Sequence, residues 1–121
     1  MFDRLHALIV DDQDLMRSVT ASQLRAMGFA KVLSAKNGAD ALKLMRAQRV
    51  DAVLSDWNMP VMNGIELLEE LQKNGPNPTF GFLTTEGSDE MRERAKTAGA
   101  KFFITKPFSP EAFQDALSGV I

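Results

Sequence analysis

Five short apolar runs, each followed by a stretch with helical spacing, restrict the fold of this chain more than any other feature. The runs are Leu5 to Val10, Lys31 to Ala35, Asp51 to Ser55, Thr79 to Thr84 and Lys101 to Thr105. Apolar residues recur at helical intervals after each: Met16, Val19, Leu24 and Met27; Ala41, Leu42 and Met45; Gly64, Leu67, Leu68 and Leu71; Met91, Ala95 and Ala98; Phe113, Ala116, Leu117 and Val120. Gly28, Gly75 and Gly99 stand where helix C-caps belong, and Ser88 and Ser109, the latter followed by Pro110, read as N-caps. Connections between parallel strands are right-handed and lay helices on both faces of a sheet. Five units therefore predict an α/β fold, a five-stranded doubly wound parallel sheet with helices on both faces, and not a barrel, which needs eight. At 121 residues the chain can bury about two-thirds of its unfolded-chain surface, and one domain over residues 1–121 is expected.

Four of the runs end in a reactive side chain. Asp11-Asp12 follow Leu8-Ile9-Val10, Asp56 follows Val53-Leu54-Ser55, Thr84 follows Phe82-Leu83, and Lys106 follows Phe103-Ile104-Thr105. Open parallel sheets bind ligands outside the carboxyl ends of their strands, where the strand order reverses. Asp11-Asp12 alone would read as a solvated acid pair at a helix start. Asp56 changes that reading, because three carboxylates on one sheet edge repel one another and persist mainly where a cation is held. Magnesium suits the set: it takes oxygen ligands, keeps several waters and needs only one or two carboxylates, whereas calcium would want more protein ligands. Lys106 alone would be an ordinary surface lysine, but at this edge its amine can pair with phosphate or carboxylate as a point charge. Thr84 alone needs only β-propensity to explain it, so its weight comes from position.

Composition removes several alternatives. The absence of cysteine excludes disulfide frameworks, thiolate zinc sites and cysteine nucleophiles, and permits a reducing compartment. A net charge of −2 gives no basic surface for nucleic acid. No apolar stretch approaches the roughly 20 residues of a membrane span, and Met1-Phe2-Asp3-Arg4 runs into the first strand without a targeting segment, so a cytoplasmic protein with no membrane contact is expected. His6 falls at the opposite end of the first strand from the reactive residues, and the seven methionines read as core filler.

The acid pair, Asp56-Trp57-Asn58-Met59-Pro60 followed by Met62-Asn63-Gly64, Thr84, and Lys106-Pro107-Phe108 occur in the order and spacing of one known family. Over its whole length the chain resembles the receiver domain of two-component response regulators (the flavodoxin-like, receiver-type fold), and most closely the stand-alone chemotaxis regulators. The resemblance implies that Asp56 is phosphorylated by a histidine kinase. Asp12, Asp56 and the carbonyl of Asn58 would ligate magnesium, with Asp11 acting largely through bound water. Thr84 would hydrogen-bond the phosphoryl group and Lys106 would pair with it, and the Lys106-Pro107 bond would be cis. Asn58 and Glu86 are the positions that tune loss of the phosphoryl group. Thr84 and Phe103 would form the switch, which presents the fourth helix, fifth strand and fifth helix to a downstream target, a chemotaxis or flagellar component. The family usually has tyrosine where this chain has Phe103, and Trp57 is expected to be partly exposed.

Such a domain promotes its own phosphorylation and dephosphorylation without being an enzyme in the turnover sense. Two other readings accompany it. The chain can be the receiver part of a longer regulator with a separate output domain, or a small phosphatase of the haloacid dehalogenase type, whose paired aspartates Asp12-Gln13-Asp14 imitate. Two departures from the chemotaxis pattern stand beside the match: a densely charged fourth helix from Ser88 to Ala98, carrying Asp89, Arg92, Glu93 and Lys96, and Gly81 within the fourth strand after Asn74-Gly75-Pro76-Asn77-Pro78, expected to loosen that strand.

Overall fold

The structure, a computed structural model, describes residues 2–73 and 78–120. Strands and helices alternate: β1 (His6–Val10), α1 (Asp14–Ala26), β2 (Lys31–Ala35), α2 (Gly38–Ala47), β3 (Ala52–Ser55), α3 (Gly64–Lys73), β4 (Thr79–Thr84), α4 (Asp89–Ala98), β5 (Phe102–Thr105) and α5 (Pro110–Ser118). The five strands form one sheet in the order β2-β1-β3-β4-β5. Every neighbouring pair is parallel. The expected doubly wound α/β sheet is therefore what the chain forms. Chain order reverses between β1 and β3, which places the crevice of such a sheet beyond Val10 and Ser55, two residues paired across that boundary.

Side chains alternate across the sheet, and each face has its own core. Leu8, Val10, Val53, Phe80 and Phe82 pack against Ala41 of α2, the Ile65, Leu67, Leu68 and Leu71 stripe of α3, and Ala95 of α4. Ala7, Ile9, Leu54, Leu83, Phe102 and Ile104 pack on the other face against Ala21 and Leu24 of α1 and Phe113 and Leu117 of α5. Gly81 does not loosen β4, contrary to the sequence expectation. It pairs with Leu54 on one side and Phe102 on the other, and a Cβ there would collide with the Phe102 ring. The missing side chain is the space into which Phe102 packs. Of the loop ahead of β4, residues 74–77 lie outside the described residues, and the C-cap expected at Gly75 falls there.

Local signals set most helix ends. Ser88 accepts from Met91 N–H and Ser109 from Ala112 N–H, while Gly28 and Gly99 take left-handed φ values of 95° and 110° just past α1 and α4. Asn37 caps α2 through Asp40 N–H. Asn63 and Glu66 form a reciprocal pair at the start of α3, each side chain accepting the other's N–H, at 2.9 and 3.0 Å. The periodicity of α1 misled in one respect: Thr20, Ala21 and Leu24 face the core, while Val19 is 46% exposed and Leu15 74%.

At the far end of the sheet from the reactive residues, Asp51 Oδ2 accepts His6 N–H at 2.8 Å and Arg49 Nη2 at 3.0 Å. Burial alone would raise the Asp51 pKa, but the His6 N–H and the Arg49 guanidinium outweigh it and hold the carboxyl below its ordinary range. An acid with a depressed folded pKa adds stability above its unfolded value, and that contribution disappears as pH falls through the folded one. Asp51→Asn is expected to lower Tm by about 4 °C at pH 7, for a loss of about 1 kcal/mol. The gap from the parent should narrow only below about pH 4; calorimetry at pH 7, 4 and 3 checks this, and a constant gap would refute it.

Candidate metal and phosphoryl site

The parallel ladder delivers the acids. Asp56 N–H bonds the Val10 carbonyl at 2.8 Å and Asp11 N–H the Ala35 carbonyl at 3.1 Å, so the first residue past each strand is still held by its neighbour. Lys106 N–H bonds the Thr84 carbonyl at 2.8 Å, which brings the end of β5 beside the end of β4. The Lys106-Pro107 bond is cis. Ser55 is fully buried, and its hydroxyl donates to the Asp56 carbonyl at 2.8 Å. Gly64 lets α3 begin against the same carbonyl, which a Cβ would strike, and its N–H donates to Trp57 O at 2.8 Å.

Four strands thus converge on one pocket. Lys106 Nζ lies 2.8 Å from Asp11 Oδ2 and 3.6 Å from Asp56 Oδ2, with the Lys106 and Asp11 side chains only 6% and 5% exposed. Asp11 is further fixed by Gln13 N–H on its Oδ1 at 2.9 Å, and its carbonyl accepts Arg17 Nη1 at 2.7 Å. Neither contact is legible in the sequence, because a backbone donor at Gln13 and a helix-to-strand contact from Arg17 leave no pattern in residue types. Burial is the main reason the Asp56 carboxyl is held above its ordinary pKa; Asp11 pushes it the same way, and Lys106, the Trp57 N–H and the Thr84 hydroxyl offset only part of this. Clustered like charges with an incomplete counter-charge favour a cation beside them.

The donor set fits magnesium. Asp11, Asp12 and Asp56 each offer a carboxylate oxygen, the three lying within 4.8 Å of one another. Asp11 is buried, Asp56 half-buried and Asp12 exposed, so the cluster opens to solvent on one side and leaves room for the waters this ion keeps.

Compared with known protein families, residues 7–118 match the response regulator receiver domain. The chain belongs to that family. It is 36% identical over 121 residues to a probable chemotaxis protein CheY of Rhizobium etli, across 98% of this chain and 93% of that protein. A chemotaxis protein CheY homolog of Campylobacter jejuni is 34% identical over 117 residues, covering 94% and 90% of the two. Among solved structures, the chemotaxis protein CheY4 of Vibrio cholerae in a low-pH crystal superposes with a TM-score of 0.88 at 33% identity, covering 98% and 99% of the chains. The dehalogenase-type reading of Asp12-Gln13-Asp14 is set aside by this membership. Asp14 also turns away from the pocket: it is 89% exposed and ion-paired with Arg17.

The receiver brings its remaining predicted residues to the same rim. Asn58, exposed two residues past Asp56, donates through Nδ2 to Glu86 Oε1 at 3.2 Å, and Glu86 N–H faces Thr84 Oγ1 at 3.5 Å. Phe103 lies beside Phe82, its partner across the β4-β5 ladder, and the two ring centroids are 6.0 Å apart. Trp57 is 7% exposed, which corrects the expectation of partial exposure. Its indole packs on Phe82 at 4.8 Å and toward Phe103 at 6.4 Å, and the Trp57 backbone N–H donates to Asp56 Oδ1 at 2.7 Å. Three residues before α3, the loop turns at Val61, whose φ is 70°, a conformation that β-branched residues rarely take.

Proposed function

We propose that this receiver accepts a phosphoryl group on Asp56 from the phosphohistidine of a histidine kinase and signals to a partner protein through the α4-β5-α5 face. The observation that carries the reading is the ion-pair geometry of Lys106, within 4 Å of both Asp11 and Asp56, at the edge where the strand order reverses. One oxygen of Asp56 attacks phosphorus in line; the P–N bond breaks and its electron pair leaves with the imidazole, giving an acyl phosphate. The Lys106 ammonium turns to the phosphoryl oxygens, and the Thr84 hydroxyl donates to another as charge develops there. Magnesium, held by Asp11, Asp12, Asp56 and the carbonyl of Asn58, would neutralise charge on the same oxygens. Asn58 and Glu86, hydrogen-bonded to each other across the rim, flank the path by which water returns to phosphorus.

The chemotaxis proteins of Rhizobium etli and Campylobacter jejuni to which the chain is similar support a chemotaxis or flagellar target and a cytoplasmic setting. Among the described residues no helix is long and apolar enough to cross a membrane. The partner's chemistry on the output face is expected to differ from that met by receivers with tyrosine in place of Phe103.

Incubation with acetyl phosphate and magnesium tests the reading by intact mass. One phosphoryl group should add, decay slowly, and require the metal, with no multiple-turnover hydrolysis of small phosphate esters. Glu86→Ala should change the lifetime of the adduct several-fold while magnesium affinity, titrated by Trp57 emission, stays within twofold. Saturable ester hydrolysis, or an unchanged lifetime, would count against these roles.

A further inference from the structure

On the phosphoacceptor reading, a change at Asp56 must be felt at Phe103, and phenylalanine has no hydroxyl with which to hold an orientation. Its ring is oriented by other means. Trp57 and Phe82 pack against it, and the Arg92 guanidinium lies on it with Cζ 4.7 Å from the ring centroid, inside the range of a cation–π contact. The same guanidinium donates through Nε to the Gly87 carbonyl at 3.3 Å. Gly87 is clamped there: a Cβ would stand 2.5 Å from Thr105 Cγ2 and 3.3 Å from Arg92 Nη2.

These contacts form two arms that meet at the Phe103 ring. One arm runs from Asp56 through the Trp57 N–H and indole to Phe103. The other starts at Thr84, at the end of β4, whose hydroxyl faces the Glu86 N–H at 3.5 Å, and passes through Gly87 to Arg92. Arg92 is the joint at which the second arm meets the ring. An arginine can serve both partners at once, because its planar fork donates along its edge while its face stacks on an aromatic.

We propose that Arg92 is the positioning residue through which the segment after Thr84 sets the Phe103 ring, a cation–π contact taking the place of a phenolic hydrogen bond in the readout of Asp56. A surface arginine merely covering apolar area would contribute to stability alone. A joint contributes to the coupling between the acceptor and the ring, which is a difference between two states.

Trp57, the chain's one tryptophan, packs beside Phe103 and reports on it. The parent protein, Arg92→Ala, Arg92→Lys, Phe103→Leu and the double variant Arg92→Ala/Phe103→Leu are each treated with magnesium and acetyl phosphate. Intact mass gives the adduct, and the change in Trp57 emission is expressed per phosphoryl group bound. Arg92→Ala should cut that change at least threefold, Arg92→Lys should restore about half of it because the cation remains, and Arg92→Ala should remove nothing further in the Phe103→Leu background. Amide exchange on the same samples gives a second reading: phosphorylation should protect residues 86–92 and 102–105 together in the parent, and only the first segment in Arg92→Ala. An undiminished emission change and joint protection in Arg92→Ala, or equal losses in both backgrounds, overturn the role of Arg92. Absence of any adduct in the parent overturns the phosphoacceptor reading itself.

Discussion

Asp56→Asn will take up no phosphoryl group from acetyl phosphate under conditions in which the parent is fully labelled. The amide keeps the size of the carboxylate and can still accept the Trp57 N–H, so the loop need not move, but it is not a nucleophile toward phosphorus. The effect is all or none because no second acid occupies the same place. Asp11 is tied up by Lys106 and the Gln13 N–H, and Asp12 is exposed. The same substitution should raise Tm by a few degrees in metal-free buffer, since it removes one of three clustered carboxylates whose charge burial disfavours. Magnesium should then stabilise the variant less than the parent. Labelling that persists in Asp56→Asn, with the adduct mapped to another residue, would sink the assignment, and a lower Tm would sink the account of the cluster's strain.

What could be read from the sequence follows the range over which each interaction acts. Strand runs, serine caps and the glycines beyond α1 and α4 are local, and they fall within two residues of the observed ends. The pocket was legible because a doubly wound topology converts order along the chain into neighbourhood at the sheet edge. Asp11 and Lys106 are 95 residues apart yet hydrogen-bonded, and only the assumption of parallel strands brings them together. The reciprocal cap of Asn63 and Glu66 is equally local, an Asn-x-x-Glu pattern at the start of α3.

The failures have one physical origin, a contact with a partner distant in sequence. Gly81 reads as a weak point in a strand until Phe102 is seen in the space its side chain would fill. Trp57 reads as a rim residue until Phe82 and Phe103 close over it. Val19 fits the helical period of α1, but the face that α1 turns to the sheet is set by where β1 and α5 stand, and Val19 lies off it. In sequence Arg92 reads as a charge near Phe103 on the output face, beside Lys96 and Lys101; that its guanidinium lies on the Phe103 ring, eleven positions along the chain, is visible only in the structure.

Lys106→Met should slow phosphorylation of Asp56 by acetyl phosphate about 100-fold, the usual cost of removing one preorganised donor from a developing phosphoryl or oxyanion charge. Methionine keeps the length and apolar stem of lysine, so packing against β5 is retained while the ammonium is lost. Stability should fall as well. Asp11 and Lys106 are both nearly excluded from solvent, and breaking a buried pair from one side typically costs about 3 kcal/mol because the remaining charge is left uncompensated. The site can recover part of that loss from its own ligand. A cation bound only by the folded state adds about 2.7 kcal/mol at 100 times its Kd, and with the ammonium gone the three carboxylates have no competing partner for it. Magnesium should therefore bind Lys106→Met at least as tightly as the parent and restore most of its Tm, while the phosphorylation rate stays depressed. A variant whose rate recovers along with its stability would show that Lys106 holds the pocket together and takes no part in the transfer.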